Sequence, residues 1–298
     1  MDAKMELKQY GKQRNTLTHT LHPQQDCRKF VLLRLDYLMG FMQQATPEIY
    51  PDFIENLTWR LRALVNLAHF DNAGLEIAVL LTRFPYLQEH AGLSRLILNF
   101  YIQIVGITEQ QFWRDEPLIV NYRIFSHSVF RFEYASIQAI IDAMGRADGI
   151  EFFRAYRDQF NISHDEDIPR IKNLADLRAG MIRMADSGVK GRIRVISDLE
   201  DGKFIQRCEN CEKVEMVADL GIDDLELLET VLCYGDYQVT ILYNVNFVLT
   251  RTQTIAGGAP YCDAVYHDRR LTGEIAHPDE TFWSAVDEQL AGKVEKEG

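Results

Sequence analysis

The hydrophobic periodicity of this chain changes once, near residue 190, and that change limits the folds open to it. Before the change, apolar residues recur at three-and-four spacing over 29–44 (KFVLLRLDYLMGFMQQ), 52–70 and 72–84, the pattern of amphipathic helices. Pro51 ahead of Asp52 fits a helix start, and Phe84-Pro85 fits a stop. Further helical runs cover 93–105, 108–113, an aromatic stretch at 121–132, then 134–145, 149–160 and 174–185. After the change, 191–197 (GRIRVIS) alternates with period two, and 202–208 (GKFIQRC) is its partner across an Asp-Leu-Glu-Asp turn. A short helix at 212–218 and a longer one at 223–242 follow, the latter opening on two acids that suit a helix N-terminus. A hairpin of 246–254 with 262–267 flanks a Gly-Gly-Ala-Pro turn, and a helix at 279–290 closes the chain. Four short strands with helices between them, behind a helical first half, predict an α+β fold. The expected division is a helical region over 1–125 and an α+β region carrying the cysteine cluster over 126–298.

Composition narrows the function classes. With 298 residues, 47% of them hydrophobic, the chain has ample material for a core. A net charge of −12 lacks the basic footprint that nucleic acid or an anionic membrane surface requires. Apolar runs such as 75–81 (LEIAVLL) fall far short of the roughly 20 residues that span a bilayer. The opening MDAKMELKQYGKQRN has no apolar stretch of the secretory kind, and the five cysteines are an odd number. Both features point to a reducing, cytoplasmic setting with thiols or thiolate ligands. The expected partner is a small molecule, and a first half rich in Leu and aromatics is compatible with a homodimer.

Four of the five cysteines fall between 208 and 262, which is where the chemistry is expected. Cys208 and Cys211 form a CxxC pair, able to chelate zinc or exchange disulfides, but no second CxxC or His pair accompanies it. Cys208 or Cys211 with Cys233, Cys262 and an acid would make a tetrahedral zinc site. In the alternative reading, Cys233 is a small packed hydrophobe among Leu228, Leu232 and Tyr234. Asp236, three residues after Cys233, shares its face if both lie on one helix. An acid there raises a thiol pKa, so its better use is to orient a water or accept a proton from substrate. Cys262 opens a strand and is followed directly by Asp263, whereas His267, five residues on, points to the opposite face from Cys262. That spacing disfavours a Cys262–His267 dyad. The candidate catalytic residues are Cys233, Asp236, Cys262 and Cys208, and the candidate substrate-binding residues are Arg251, Asp263, Tyr234, Tyr237 and His267. No GxSxG, HExxH, P-loop or GxGxxG motif is present, which removes the commonest hydrolase and nucleotide-binding designs.

The ordered set of Cys208, LCYGDY (232–237) and RTQTIAGGAPYCDAVYH (251–267) resembles the L-2-amino-thiazoline-4-carboxylate hydrolase family, over roughly 130–270. The positions that match are Cys233, Asp236 and Tyr237, then Arg251, Thr252 and Thr254, then Gly257, Gly258, Cys262 and Asp263. The chain departs at Ala264, where the family commonly has an aromatic residue, and its Gly257-Gly258-Ala259 turn lacks the frequent acid. The resemblance implies hydrolytic opening of a small heterocycle at a C–N bond, with no required cofactor. A thiolate, or water activated by Asp236, would attack the ring carbon; Asp263 or Asp236 would hold the exocyclic amine and Arg251 the carboxylate. The same hairpin is similar to that of 4-vinyl-reductase-type domains, which are small-molecule sensors and accessory proteins, some holding zinc through cysteines. That similarity implies a non-catalytic ligand-binding protein, although Arg251 and Thr254 stand here where such a zinc site needs an acid and a thiol.

Overall fold

The fold comes from a computed structural model, which describes residues 7–11, 17–65, 74–187, 193–196, 202–218 and 222–297. Strands β1 (Lys8–Tyr10) and β2 (Thr18–Leu21) lead into a helical run of α1 (Pro23–Cys27), one π turn at Arg28–Leu32 and α2 (Leu33–Ala45). Helices α3 (Tyr50–Leu64), α4 (Gly74–Leu80), α5 (Pro85–Glu89), α6 (Ala91–Val105) and α7 (Glu109–Arg114) follow. Then come β3 (Leu118–Asn121), α8 (Tyr122–Met144) and α9 (Arg146–Ser163). Local chemistry sets several of these limits. Pro51 sits in the first turn of α3, where its missing N–H is no loss. Gly106, at φ 73°, ends α6 in the left-handed conformation that a side chain would oppose. Thr108 and Gln111 form a capping box that starts α7.

The runs expected at 121–132 and 134–145 are one helix, because nothing between them breaks it. Glu133, at the join, turns inward and pairs with both Arg34 and Arg157. The helices share one apolar core that reaches from Leu21 and Leu32 through Phe53, Phe100 and Phe153 to Leu228 and Cys233.

The remaining elements are α10 (Leu174–Ser187), β4 (Ile193–Val195), β5 (Lys203–Cys208), α11 (Glu212–Val217), α12 (Leu225–Leu232), α13 (Gly235–Tyr243), β6 (Phe247–Thr250), β7 (Cys262–Asp268) and α14 (Glu280–Glu297). An antiparallel sheet runs in the order β1-β4-β5-β7-β6, so the first strand of the chain closes one edge of a sheet made otherwise of late residues. β2 and β3 form a separate two-stranded ladder. One face of the large sheet packs Phe204, Leu249 and Tyr266 against Leu177 and Met181 of α10. The other face packs Ile205 and Val265 against Trp283 and Val286 of α14. With a helical first half and antiparallel sheet in the second, the chain is α+β, as the periodicity predicts.

Two expected elements differ. The helix expected over 223–242 is two helices, broken at Cys233 and Tyr234. The strand expected over 246–254 stops at Thr250, because the Asp263 carboxylate draws the next backbone N–H groups out of the ladder. The helix ends expected at 66–70 and 72–73, the strand ends at 191–192 and 197, and the turn at 198–201 lie outside the described residues. Among the described residues no helix is long and apolar enough to cross a membrane.

Candidate functional site

The site is built on the helix break. The N–H of Cys233 bonds Glu229 O at 2.8 Å, and the N–H of Tyr234 reaches the same carbonyl at 3.2 Å, which ends α12. Gly235 then opens α13 so close to Arg157 that a Cβ would lie 3.0 Å from its guanidinium. The break leaves the last carbonyls of α12 short of their i+4 donors, Cys233 O accepting only the Asp236 N–H at 3.1 Å from the backbone. Two cations take them: Lys213 Nζ donates to Leu232 O at 3.3 Å, and Arg251 Nη2 to Cys233 O at 3.0 Å. Cations are favoured there by the negative end of the helix dipole. Asp236, in the first turn of α13, accepts from Arg251 Nη1 at 3.2 Å and lies 3.9 Å from Lys213 Nζ. The Arg251 side chain is 6% exposed, whereas that of Asp236 is 42% exposed. Tyr237 lies under the Arg251 guanidinium, 5.2 Å from ring centre to cation.

Between this break and the sheet lies a cavity of about 230 Å³. Its floor is Gln206 and Cys208 of β5 with Cys262, Ala264 and Tyr266 of β7, residues brought to one face by the two-residue period of a strand. Met181 and Met184 of α10 form one wall, and Cys211, Glu212 and Lys213 at the start of α11 another. Cys233, Asp236, Thr240 and Tyr243 face it from the helix break, with Arg251 at the rim. The volume is below the ~300 Å³ at which pockets for drug-sized ligands begin, and so suits a smaller ring.

Burial raises the Cys233 thiol far above its ordinary value and Asp236 adds to the shift, while Arg251 and Lys213 pull down without reversing it. Burial likewise raises Cys211. Both are therefore thiols, not thiolates, at neutral pH. Asp236 holds Lys213 above the usual lysine range. For Arg251 burial disfavours the charge, but Asp236 and its other neighbours outweigh that and keep it protonated.

No disulfide joins any of the five cysteines. Cys208 Sγ donates to Asn210 O at 3.0 Å, and Cys262 Sγ accepts from the Ile255 N–H at 3.2 Å. Cys208, Cys211, Cys233 and Cys262 thus share the cavity, yet among the described residues no three His, Cys, Asp or Glu side chains converge as metal ligands. They do not make the tetrahedral set that zinc requires.

Asp263 and His267 stand on the other face of β7, away from the cavity. Asp263 Oδ1 accepts the backbone N–H groups of Thr252 and Gln253, each at 3.0 Å, and Oδ2 accepts the Thr252 hydroxyl. His277 Nε2 meets Oδ2 at 3.0 Å. Burial alone would raise this carboxyl, but the bonds from His277 and Thr252 hold it below its usual range. Thr250 Oγ1 then joins His277 Nδ1, at 3.0 Å, to His267 Nε2, at 2.8 Å. Assigning protons by the network, His267 donates to Thr250, Thr250 to His277 and His277 to Asp263. His267 is neutral in that chain, in keeping with a pKa lowered to about 4, chiefly by burial and further by Lys203. Asp263 therefore anchors the backbone just after Arg251 and does not reach a ligand's amine. Tyr234 also turns elsewhere, its hydroxyl donating to Asp158 at 2.9 Å.

Of the residues expected from sequence, the structure gathers Cys208, Cys211, Cys233, Cys262, Asp236 and Arg251 at one cavity, with Tyr237 beneath Arg251. Sequence reasoning passed over Gln206, Glu212 and Lys213. The signal for Gln206 was its phase, two residues from Cys208 on one strand. Glu212 and Lys213 directly follow Cys211.

No curated protein and no solved structure matches this chain. Residues 122–266, which run from α8 to Tyr266 of β7 and contain every cavity residue named above, match the family model described as L-2-amino-thiazoline-4-carboxylic acid hydrolase.

Proposed function

We propose that the chain is a hydrolase that opens a small carboxylate-bearing heterocycle of the 2-amino-thiazoline-4-carboxylate kind. The observation that carries this reading is the meeting of Asp236, Arg251 and Lys213 at the edge of a small cavity, within the span matched to that hydrolase family. Lys213 and Arg251 bring two cations to a cavity whose lining also holds the carboxyl groups of Asp236 and Glu212, in a chain of net charge −12. Arg251 takes the substrate carboxylate through its planar donors, with Lys213 as a second positive charge. Asp236, a carboxylate 42% exposed beside the buried Arg251, receives a proton from the attacking water.

Water adds across the ring C=N bond at the carbon flanked by nitrogen and sulfur. Asp236 passes the water's first proton to the ring nitrogen as the adduct forms; the adduct's hydroxyl proton then moves through the same carboxylate to that nitrogen as the C–N bond breaks, leaving an amine and a carbonyl carbon still bonded to sulfur. The product equals substrate plus one water. A water nucleophile is favoured over a thiolate because burial keeps Cys233 and Cys211 protonated, while Cys208 Sγ is engaged by Asn210 O and Cys262 Sγ by the Ile255 N–H. The thiols then serve as a weakly polar wall that limits solvent around the ring.

The test is to incubate the protein with L-2-amino-thiazoline-4-carboxylate in heavy-oxygen water and analyse the product by mass. The expected product has gained one water, carries the label in its carbonyl group, and shows a new amine. No gain of mass refutes the hydrolase reading, and a new thiol in place of the amine would move the cleavage to the C–S bond.

A further inference from the structure

Gln206 lies in the middle of β5, 1% exposed, on the sheet face it shares with Phe204 and Cys208. Its surroundings on that face, Phe204, Met181 and Tyr266, belong to an apolar layer in which an apolar side chain would pack well. It nonetheless carries a carboxamide whose Oε1 has no hydrogen-bond partner. A buried acceptor left unpaired is destabilising, and such an atom in a native fold calls for a partner from outside the chain. Directly across the ladder is Ala264, whose small side chain also lines the cavity and leaves room over the carboxamide. Two further polar atoms without partners belong to residues of this same cavity: Glu212 Oε1, on a residue 6% exposed, and Arg251 Nε. The cavity therefore has acceptors on its floor and one wall, and a donor at its rim.

We propose that Gln206 is the residue by which the cavity selects its ring. Its carbonyl oxygen accepts an N–H from the amino or amidine group of the ligand, while Arg251 holds the carboxylate at the other end. The inference rests on the ring-opening reading and adds to it the group that reads the ligand's nitrogen, a task for which Asp263 is out of reach on the far face of β7. Glu212 supplies a second acceptor on the adjoining wall. The ligand class so defined is a small ring with an N–H donor on one side and a carboxylate on the other.

Gln206→Met and Gln206→Leu keep the volume of the side chain and remove the carbonyl. The readout is the ratio of kcat/KM for L-2-amino-thiazoline-4-carboxylate to that for the analogue with methyl in place of the amino group, together with the melting temperature. The wild-type protein is expected to favour the amino ring by about tenfold or more, and both variants to lose about tenfold of that ratio. Their melting temperatures are expected to be unchanged or higher, because an unpaired buried acceptor has gone. A structural role would instead lower the melting temperature and leave the ratio alone. An unchanged ratio in an active variant, or failure of both variants to fold, overturns the assignment of Gln206 while leaving the ring-opening reading standing. Turnover of neither ring by the wild-type protein would overturn that reading, and the role of Gln206 with it.

Discussion

Asp236 and Cys233 stand three residues apart at the same cavity, and their surroundings give them different work. Asp236 is partly open and paired with Arg251 and Lys213, while Cys233 is buried and held as a thiol. Asp236→Asn is expected to lower kcat by about a hundredfold or more, the usual cost of removing a general base. Cys233→Ser is expected to stay within about tenfold of wild type, since loss of a nucleophile would cost several orders of magnitude. Steady-state kinetics of the two variants separate water attack from thiolate attack. Arg251→Lys is expected to raise KM, because a lysine cannot reproduce the forked contacts that Arg251 makes to Asp236 and to Cys233 O. The residues behind these predictions were legible because LCYGDY and the Arg251 strand are contiguous motifs. Lys213 was not, since what qualifies it is a carbonyl 19 positions away, freed only by the fold.

At the scale of elements, the site depends on two interruptions of regular structure. The α12–α13 break frees the carbonyls that fix Lys213 and Arg251, and the early end of β6 turns the chain at Arg251. The break was hidden because 225–232 and 237–243 are both apolar and read as one helix, with Gly235 in LCYGDY the sole cue. The end of β6 was hidden because Thr252 and Thr254 continue the alternation, and only a carboxylate from the facing strand takes the Thr252 and Gln253 N–H groups out of the ladder. Asp263→Ala strips partners from two backbone N–H groups, the Thr252 hydroxyl and His277 at a site 1% exposed. It is expected to destabilise the fold by about 3 kcal/mol, the scale of lost hydrogen bonds to a buried charge, and to raise KM through a loosened Arg251. Denaturant titration and KM measured on the same variant check both halves.

For the whole molecule, the fold class follows from the change of period near residue 190, but the sheet edge does not. β1, β2 and β3 are KQY, THTL and LIVN, too short to display alternation, and their pairing is set by residues about a hundred or more positions distant. Stability should depend on pH through the buried chain that ends at His267. The folded state holds its pKa at about 4 against an ordinary 6.5, so the unfolded chain binds the proton first as pH falls. The neutral histidine's contribution is complete above pH 6.5 and is lost as pH falls from there towards 4. Unfolding free energy is expected to drop by about 2 kcal/mol between pH 7 and pH 5, and His267→Gln to remove most of that slope. Asp263 and Asp268, both held below the usual carboxylate range, extend the loss to lower pH.

The most direct test of the cavity as the hydrolytic site is a crystal structure of the Asp236→Asn variant soaked with L-2-amino-thiazoline-4-carboxylate. The expected result is an intact ring between Gln206 and Cys233, its carboxylate on Arg251 and its amino group on Gln206. A ring bound elsewhere on the protein, with this cavity holding only solvent, would contradict the assignment.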